Sequence, residues 1–255
     1  MTHATDYPLL LFVLSFICMS LFGKLGMLLR KRHRLTESEA LESFDVVRNA
    51  SLTLLALIIG FTFSMAVSRY DQRKNFEEAE ANAIGTEFVR ADLLPDADKA
   101  KVRTLLQSYL GQRILSYTIR NKQQLRQIDA DTVKLQAALW SAVHDSALAK
   151  PTPVSALVVA GMNDVLNSQG YTQAAWWNRI PVAAWMLLTA IAICCSALVG
   201  YGAKFAMEKN RYIWILPLVV SIAILLIADI DSPRQGVIRV VPQNLLSLAE
   251  SLHTY

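Results

Sequence analysis

The stretch that decides the fold is LTLLALIIGFTFSMAVSRYDQRKNFEEAEANAIGTEFVRADLLP, residues 52–95. Residues 52–68 carry no charge and are apolar enough for a bilayer, whereas the residues that follow are largely charged or polar. Between Ser64 and Leu94 there is no proline and only one glycine, Gly85, so nothing in this part of the sequence stops a helix. The stretch therefore predicts one helix that leaves the membrane and continues for several turns beyond it.

Hydrophobic residues make up 53% of the 255-residue chain, and they are concentrated in four runs. The runs lie at about residues 8–29, 48–68, 181–201 and 212–230. Each is close to the roughly 20 residues that a helix needs to cross a bilayer. No strand pattern or internal repeat is visible, so we predict an all-α polytopic membrane protein with four transmembrane helices.

The polar segment between the second and third runs predicts a helical insertion domain. Helical patterns begin there after Pro95 and again at Thr152, a good N-cap residue followed by Pro153. Four parts are predicted: residues 1–68 as a first transmembrane hairpin, 69–180 as an extended helical extramembrane domain, 181–230 as a second transmembrane hairpin, and 231–255 as a C-terminal tail.

Four spans place the 69–180 domain and the 231–255 tail on one side of the membrane, with the N-terminus. The loops 30–47 and 202–211 lie on the other side. These short loops are rich in basic residues: Arg30, Lys31, Arg32, Arg34, Lys204, Lys209 and Arg211. Because basic short loops face the cytoplasm, we expect the polar domain on the outer side of the membrane.

The second span carries a stripe of small residues spaced four apart: Ala56, Gly60, Ser64 and Ser68. Small residues let two membrane helices approach closely, so one interpretation is helix packing. A row of hydroxyl groups can instead line a pore and coordinate a partly dehydrated ion. The sequence leaves both interpretations open.

Charged and amide side chains continue along the same helix beyond the membrane. Six of them are candidates to line the vestibule of a pore: Arg69, Arg73, Glu80, Asn82, Glu87 and Arg90. Arg73 with Glu77, and Glu87 with Arg90, have the spacing of ion pairs on one helix. Gly85 weakens a helix, which indicates that this segment packs against something rather than standing alone in water.

A second set of charges is expected at one membrane face, at the ends of the second and fourth spans: Arg69, Asp71, Arg73, Asp229, Asp231 and Arg234. Asp229 closes an apolar helix, where a carboxylate is costly unless it is paired or hydrated. Three interpretations stay open. The charges form an ion-pair cluster that ties the two helices together, a ring at a pore mouth, or side chains that reach water without a partner. In the first case Asp229 pairs with Arg69 or Arg73.

The sequence carries no signature of an enzyme, a cofactor site or a metal site. It has no P-loop, GxSxG or HExxH motif, and its four histidines are scattered. The three cysteines lie inside apolar runs, without the spacing of metal ligands. A net charge of +4 is too small to indicate nucleic acid as a partner. We therefore expect no catalytic residue, no cofactor and no metal.

Three strings carry a family resemblance: RYDxRxxxxxxEANAIGTxxxRADLLP from Arg69, RxLLxxYLxxR from Arg103, and DIDSPRQGxIRV from Asp229. With them the sequence resembles a family of bacterial integral membrane proteins described as bestrophin-like. The resemblance covers nearly the whole chain. It implies a four-span helical protein of the bacterial inner membrane with a long helical insertion. By its name it also implies an analogy with bestrophins, which are pentameric anion channels.

The function that we expect is an oligomeric ion channel or channel-like pore, lined by the second span. Its partners are then the lipid bilayer, further copies of the chain and permeant ions. In a bacterial inner membrane the polar domain and both termini are periplasmic, and the loops 30–47 and 202–211 are cytoplasmic. One alternative is a non-conducting sensor or scaffold whose helical domain binds a partner. A small transporter is a weaker alternative, because Pro217 is the only break expected in mid-span.

Overall fold

The computed structural model describes residues 4–32, 38–203 and 211–252. Within these ranges every regular element is a helix, as the sequence predicts. Arg34, Lys204 and Lys209 of the predicted basic loops lie outside the described residues, as do residues 253–255 of the tail.

The α-helices of the described residues have the following bounds: α1 Pro8–Arg32, α2 Ser38–Arg90, α3 Asp96–Thr118, α4 Lys122–Ala149, α5 Pro153–Trp177, α6 Val182–Gly202, α7 Ile215–Asp231 and α8 Gln243–Leu252. Short 3-10 helices form at Ala4–Asp6, Ala91–Leu93 and Arg211–Trp214. The C-terminal helix α8 lies in a tail for which the sequence predicted no element.

Helix α2 runs without a break for 53 residues through the stretch that decides the fold. It continues from the apolar part into the polar part at Arg69 with helical backbone on both sides. The helix ends at a 3-10 turn over Ala91–Leu93, just before Pro95. Proline restricts the residue before it to extended backbone, so the helix stops here. The predicted single helix through both parts of the sequence is confirmed.

The chain divides into two compact units. The first comprises Met1–Arg69 and Arg179–Arg239, and it contains the apolar runs. The second comprises Tyr70–Asn178 and Val240–Tyr255, so it combines the polar segment with the tail. Helix α2 contributes its apolar half to the first unit and its polar half to the second.

Close packing of helices holds the first unit together. Its core consists of buried side chains from α1, α2, α6 and α7: Met19, Leu55, Leu188, Ala192, Cys195, Val220 and Ile224. Helices α1 and α6 approach so closely that a methyl group on Gly200 would lie 1.9 Å from the carbonyl oxygen of Gly23. A methyl group on Gly26 would lie 2.1 Å from the carbonyl oxygen of Ala197. These glycines permit the backbone contact that small residues give membrane helices.

The second unit has an apolar core of its own, to which α2, α3, α4, α5 and α8 contribute: Ile84, Phe88, Leu106, Leu110, Leu139, Val143, Val158, Met162, Val165 and Leu245. Helix α4 begins where the Asn121 side chain accepts hydrogen bonds from the N–H groups of Gln123 and Gln124. Helix α5 begins with a capping box between Thr152 and Ser155. The cap that the sequence predicted at Thr152 is therefore confirmed.

Three helical stretches of the described residues are long and apolar enough to cross a membrane, within Pro8–Arg32, Glu42–Leu93 and Pro153–Gly202. The fourth predicted span corresponds to α7, which has 17 residues. That length falls short of the roughly 20 residues of a complete span. The fourth span therefore stays a prediction.

We expect Gly200→Ala to destabilise the protein by about 1–3 kcal/mol, because the new methyl group would collide with the backbone of Gly23. The matched control is Gly60→Ala, whose methyl group would meet no atom within 4 Å. Thermal unfolding of the purified protein in detergent measures both variants. Equal melting temperatures would contradict the close contact between α1 and α6.

Candidate functional site

A row of charged side chains is buried along the polar half of α2. Arg73, Glu77, Glu80 and Glu87 are each at most 2% exposed, as is Ile84 between them. They follow one another at intervals of three and four residues, which places them on one face of the helix. From Glu77 onward this face packs inside the second unit. The charges are therefore part of a packing face and need partners within the chain.

Glu80 is held by groups from α3 and α5. The guanidinium of Arg113 donates to the Glu80 carboxylate through Nε, and again through Nη2 at 3.4 Å. The hydroxyl groups of Thr172 and Tyr117 donate to Glu80 Oε2 at 3.1 and 3.5 Å. Since Glu80 is 0% and Arg113 2% exposed, this is a fully buried ion pair with additional donors.

Burial and the neighbouring ion pair both act on the pKa values of the groups around Glu80. Burial works against the charge of Arg113, but Glu80 beside it raises the pKa of the guanidinium above its ordinary value. Burial also raises the pKa of Tyr109 and that of Tyr117, so both phenols stay neutral at physiological pH. Arg113 and Tyr109 are both fixed positions of the RxLLxxYLxxR string, which is therefore explained by core packing and this ion pair.

Glu77 caps the N-terminus of the C-terminal helix α8. Its Oε1 accepts hydrogen bonds of 3.0 Å from the N–H groups of Asn244 and of Leu245. Its Oε2 accepts a bond of 2.7 Å from the Asn244 side-chain amide. Backbone N–H groups at a helix start are unsatisfied within the helix and attract a carboxylate. The Glu77 carboxylate therefore binds the start of a helix that lies far from it in the sequence.

Gly85 of the EANAIGT string lies against the same C-terminal helix. A methyl group at Gly85 would lie 3.1 Å from Leu248 Cδ1. Ala81 and Ile84 are buried in the core beside it, whereas Asn82 is exposed. The expectation that this segment packs against something is confirmed, and its partner is α8.

Glu87 has no hydrogen-bond partner for either carboxylate oxygen among the described residues. The side chain is 0% exposed and rests on α5, where a methyl group at Gly161 would lie 2.0 Å from Glu87 Oε2 and 2.4 Å from Arg90 Nη1. Burial raises the pKa of Glu87 to about 8; the charge of Arg90 lowers this pKa, and the charge of Asp164 raises it. The predicted pairing of Glu87 with Arg90 is present only as this electrostatic effect, without a hydrogen bond between the two side chains.

The DIDSPRQG string forms a loop that binds its own backbone. The Asp229 carboxylate accepts hydrogen bonds from the N–H groups of Val237, at 2.8 Å, and Ile238, at 2.7 Å. Gly236 is required here, since a methyl group on it would lie 2.3 Å from the Asp229 carbonyl oxygen. Asp231 is 0% exposed, and its Oδ1 accepts a bond of 3.0 Å from the N–H of Ile180.

The predicted ion pair between Asp229 and Arg69 is therefore wrong for this structure. Both oxygens of Asp229 are engaged by backbone N–H groups of the following loop. Backbone amides give a carboxylate charge-assisted hydrogen bonds without fixing a long side chain. Of the other residues in the expected membrane-face cluster, Asp71 is exposed and Arg234 is half-buried.

The small-residue stripe of the second span is exposed. All four of its residues face away from the core of the first unit: Ala56, Gly60, Ser64 and Ser68. On the other side of the helix, Leu55 and Thr62 are each 2% exposed. Close packing on another helix of the described chain does not account for the stripe. It is free to line a pore or to contact a further copy.

The six vestibule candidates occupy three environments in the structure. Asn82 is exposed, and Arg69 and Arg90 are half-buried. Arg73, Glu80 and Glu87 are buried instead, and Glu80 and Glu87 contact other helices of the second unit. The sequence analysis did not distinguish the buried candidates from the accessible ones. The intervals of three and four residues between the buried charges could have shown that they share one face of the helix.

Within residues 4–32, 38–203 and 211–252, no group of three or more His, Cys, Asp or Glu side chains is arranged to hold a metal ion. Cys195 is buried and donates its S–H to the Ser51 carbonyl oxygen at 3.3 Å. Its role here is helix packing.

A family model described as the Bestrophin-like domain matches residues 17–245 of the chain. No curated protein matches the sequence.

Structures of a bacterial bestrophin homologue from Klebsiella pneumoniae are similar to this one. A point variant of it aligns with a TM-score of 0.65 and 13% identity, over 97% of this chain and 98% of its own. A second point variant aligns with a TM-score of 0.65 and 11% identity, over 100% and 97%. A further structure of the homologue gives 0.61 and 14%, over 95% and 98%. At these identities the similarity establishes a common fold.

We expect Arg113→Met to destabilise the protein by about 3–5 kcal/mol, because it leaves Glu80 as a buried charge without its counter-ion. Adding Glu80→Gln should cost less than the sum of the two single changes, since both remove one interaction. Thermal unfolding in detergent gives the three values.

The control for this cycle is Arg126→Met, at an exposed position of α4. It should change stability by no more than about 0.5 kcal/mol. If the Arg113 and Glu80 changes are simply additive, the two side chains are not coupled.

Proposed function

Because the chain belongs to the Bestrophin-like family, we propose that it forms an oligomeric ion channel or channel-like pore in a bacterial membrane. The fold that it shares with the Klebsiella pneumoniae bestrophin homologue supports this proposal. The analogy with bestrophins favours conduction over catalysis, and the proposal assigns no catalytic residue and no cofactor.

The observation that carries the proposal is the exposed stripe on α2. Ser64 and Ser68 place hydroxyl groups, and Gly60 bare backbone, on a helix face that is exposed in the single chain. Around an axis shared by several copies, such faces converge on a common opening. Hydroxyl and backbone oxygens there can replace part of the hydration shell of an ion. The proposal is therefore a homo-oligomer with α2 at its centre.

Large apolar side chains on the same helix support membrane insertion around such an axis. Leu54, Leu57 and Phe61 are between 46% and 59% exposed in the single chain. Exposed apolar surface of this size is suited to lipid or to a neighbouring copy. In our proposal the small residues turn toward the axis, and these side chains meet neighbouring copies or lipid.

We place the chain in a bacterial inner membrane with four spans. Helix α7 rises about 26 Å at 1.5 Å per residue, and the preceding 3-10 turn Arg211–Trp214 adds about 8 Å. Together they match the roughly 30 Å thickness of the hydrocarbon core. Trp214 at the start of α7 is suited to a membrane interface.

The mouth of the proposed pore is formed by polar residues that remain accessible. Arg69 is half-buried, and Asp71 and Asn82 are exposed. In a homo-oligomer each of them is repeated once per copy and forms a ring. In our proposal the buried Glu80 and Glu87 do not line the mouth, but fix how α2 packs in the second unit.

Cysteine modification tests whether α2 lines the pore. In a variant without Cys18, Cys194 and Cys195, we expect a charged thiosulfonate reagent to reduce ion flux into liposomes by more than half when Ser64→Cys is present. The control is Leu14→Cys on α1, which is 53% exposed and faces lipid in our proposal. Flux that is equally sensitive at both positions would contradict a pore along α2. Absence of flux from the unmodified protein would favour a non-conducting scaffold.

Labelling with an impermeant maleimide tests the orientation. In the same cysteine-free background we expect Asn167→Cys and Glu250→Cys to react in intact cells, because both positions are exposed and are periplasmic in the proposal. Ser43→Cys, in the 30–47 segment, should react only after permeabilisation. Reaction of only one of Asn167→Cys and Glu250→Cys would contradict four spans, and reaction of Ser43→Cys alone would invert the orientation.

A further inference from the structure

We propose that Glu87 is a proton-binding switch that controls how tightly helix α5 packs against helix α2 in the second unit. With its carboxyl group protonated the contact is closed. When the proton leaves, a negative charge is created inside the contact and the two helices separate more readily. This property does not depend on whether the protein conducts ions.

The environment of Glu87 is built for a neutral group. The side chain is 0% exposed, and neither oxygen has a partner among the described residues. On α5 it faces the bare backbone of Gly161, where even a methyl group would lie 2.0 Å from Oε2. The neighbours of Gly161 along the core side of α5 are Val158 and Met162, both 0% exposed. A carboxylate in such surroundings loses its hydration and gains no hydrogen bond in return, and only the charge of Arg90 favours it.

Glu87 differs in this respect from the other buried carboxylates of the same helix face. Glu77 receives three hydrogen bonds from the start of α8, and Glu80 receives donors from Arg113, Tyr117 and Thr172. These two are arranged to hold a negative charge. Glu87 has no such donor, so among the three it is the group suited to exchange a proton.

The charged groups that face Glu87 come from two helices. Arg90 on α2 favours its ionised form, and Asp164 on α5 disfavours it. Arg103 of α3 does not bind Glu87. Its guanidinium donates instead to Asp92 at 2.9 Å and to the Phe88 carbonyl oxygen at 3.3 Å. The pKa of Glu87 is therefore set first by burial, and then by the charges of Arg90 and Asp164.

The direction of the pH effect follows from linkage. Burial raises the pKa of Glu87 from 4.5 to about 8. Between these two values the closed state holds a proton that the opened state has lost, so raising the pH favours opening. The equilibrium constant for opening rises by up to about tenfold per pH unit in this window, and it levels off above the upper value. Below the lower value the contact keeps its full stability.

Hydrogen–deuterium exchange of the full-length protein in detergent tests the switch. The readout is the protection factor, corrected for intrinsic exchange, of peptides covering residues 155–168 of α5 between pH 6 and pH 9. In the parent protein we expect protection to fall by about tenfold per pH unit and to level off near pH 8. Glu87→Gln should remove this dependence, because the amide cannot ionise. Glu78→Gln, at an exposed position of the same helix, is the matched control and should behave as the parent does.

Asp164→Asn provides a second test that does not alter the buried group. Asp164 is exposed, and its charge raises the pKa of Glu87. Removing this charge should therefore lower the pH at which the protection factor stops falling. The slope of protection against pH should stay the same. The proposal is overturned if Asp164→Asn leaves that pH unchanged, or if a folded Glu87→Gln retains the transition. A transition that persists with Glu78→Gln and moves with Asp164→Asn supports it.

Discussion

The constraint on which the second unit depends is the compensation of charge that helix α2 buries after it leaves the apolar run. A buried charge without a partner costs several kcal/mol, so each one needs a compensating group, which here comes from a distant part of the sequence. Arg113 of α3 forms an ion pair with Glu80, and the backbone N–H groups at the start of α8 donate to Glu77. These contacts explain why the C-terminal tail folds back onto the polar unit. In our proposal the remaining carboxyl group, that of Glu87, is neutralised by binding a proton.

The long helix itself could be predicted because its causes are local. Residues 52–94 contain no proline, and the change from apolar to charged side chains alters the surroundings of the helix but not its backbone preference. The cap at Thr152 and the stop before Pro95 are equally local, and both are present in the structure. The all-helical fold and the family resemblance follow from the same kind of evidence.

The partners of the buried charges could not be predicted, because they depend on tertiary contacts. Local spacing suggested ion pairs between Glu77 and Arg73 and between Glu87 and Arg90, yet pairs on one helix are worth only a few tenths of a kcal/mol. The start of α8 offers Glu77 three donors at once, a larger gain that no local pattern reveals. Asp229 likewise binds its own loop, where the backbone N–H groups of Val237 and Ile238 donate to its two oxygens.

In the second unit α2 buries charged side chains, whereas in the first unit it leaves polar side chains exposed. These are Ser64 and Ser68. A polar stripe on a membrane helix needs water, ions or another copy around it, and a central pore supplies all three. Single-channel recording from the purified protein in a planar bilayer tests this most directly. The account predicts discrete current steps that persist at a fixed amplitude. Protein that is oligomeric and folded, and yet gives no current steps at any voltage, would contradict it.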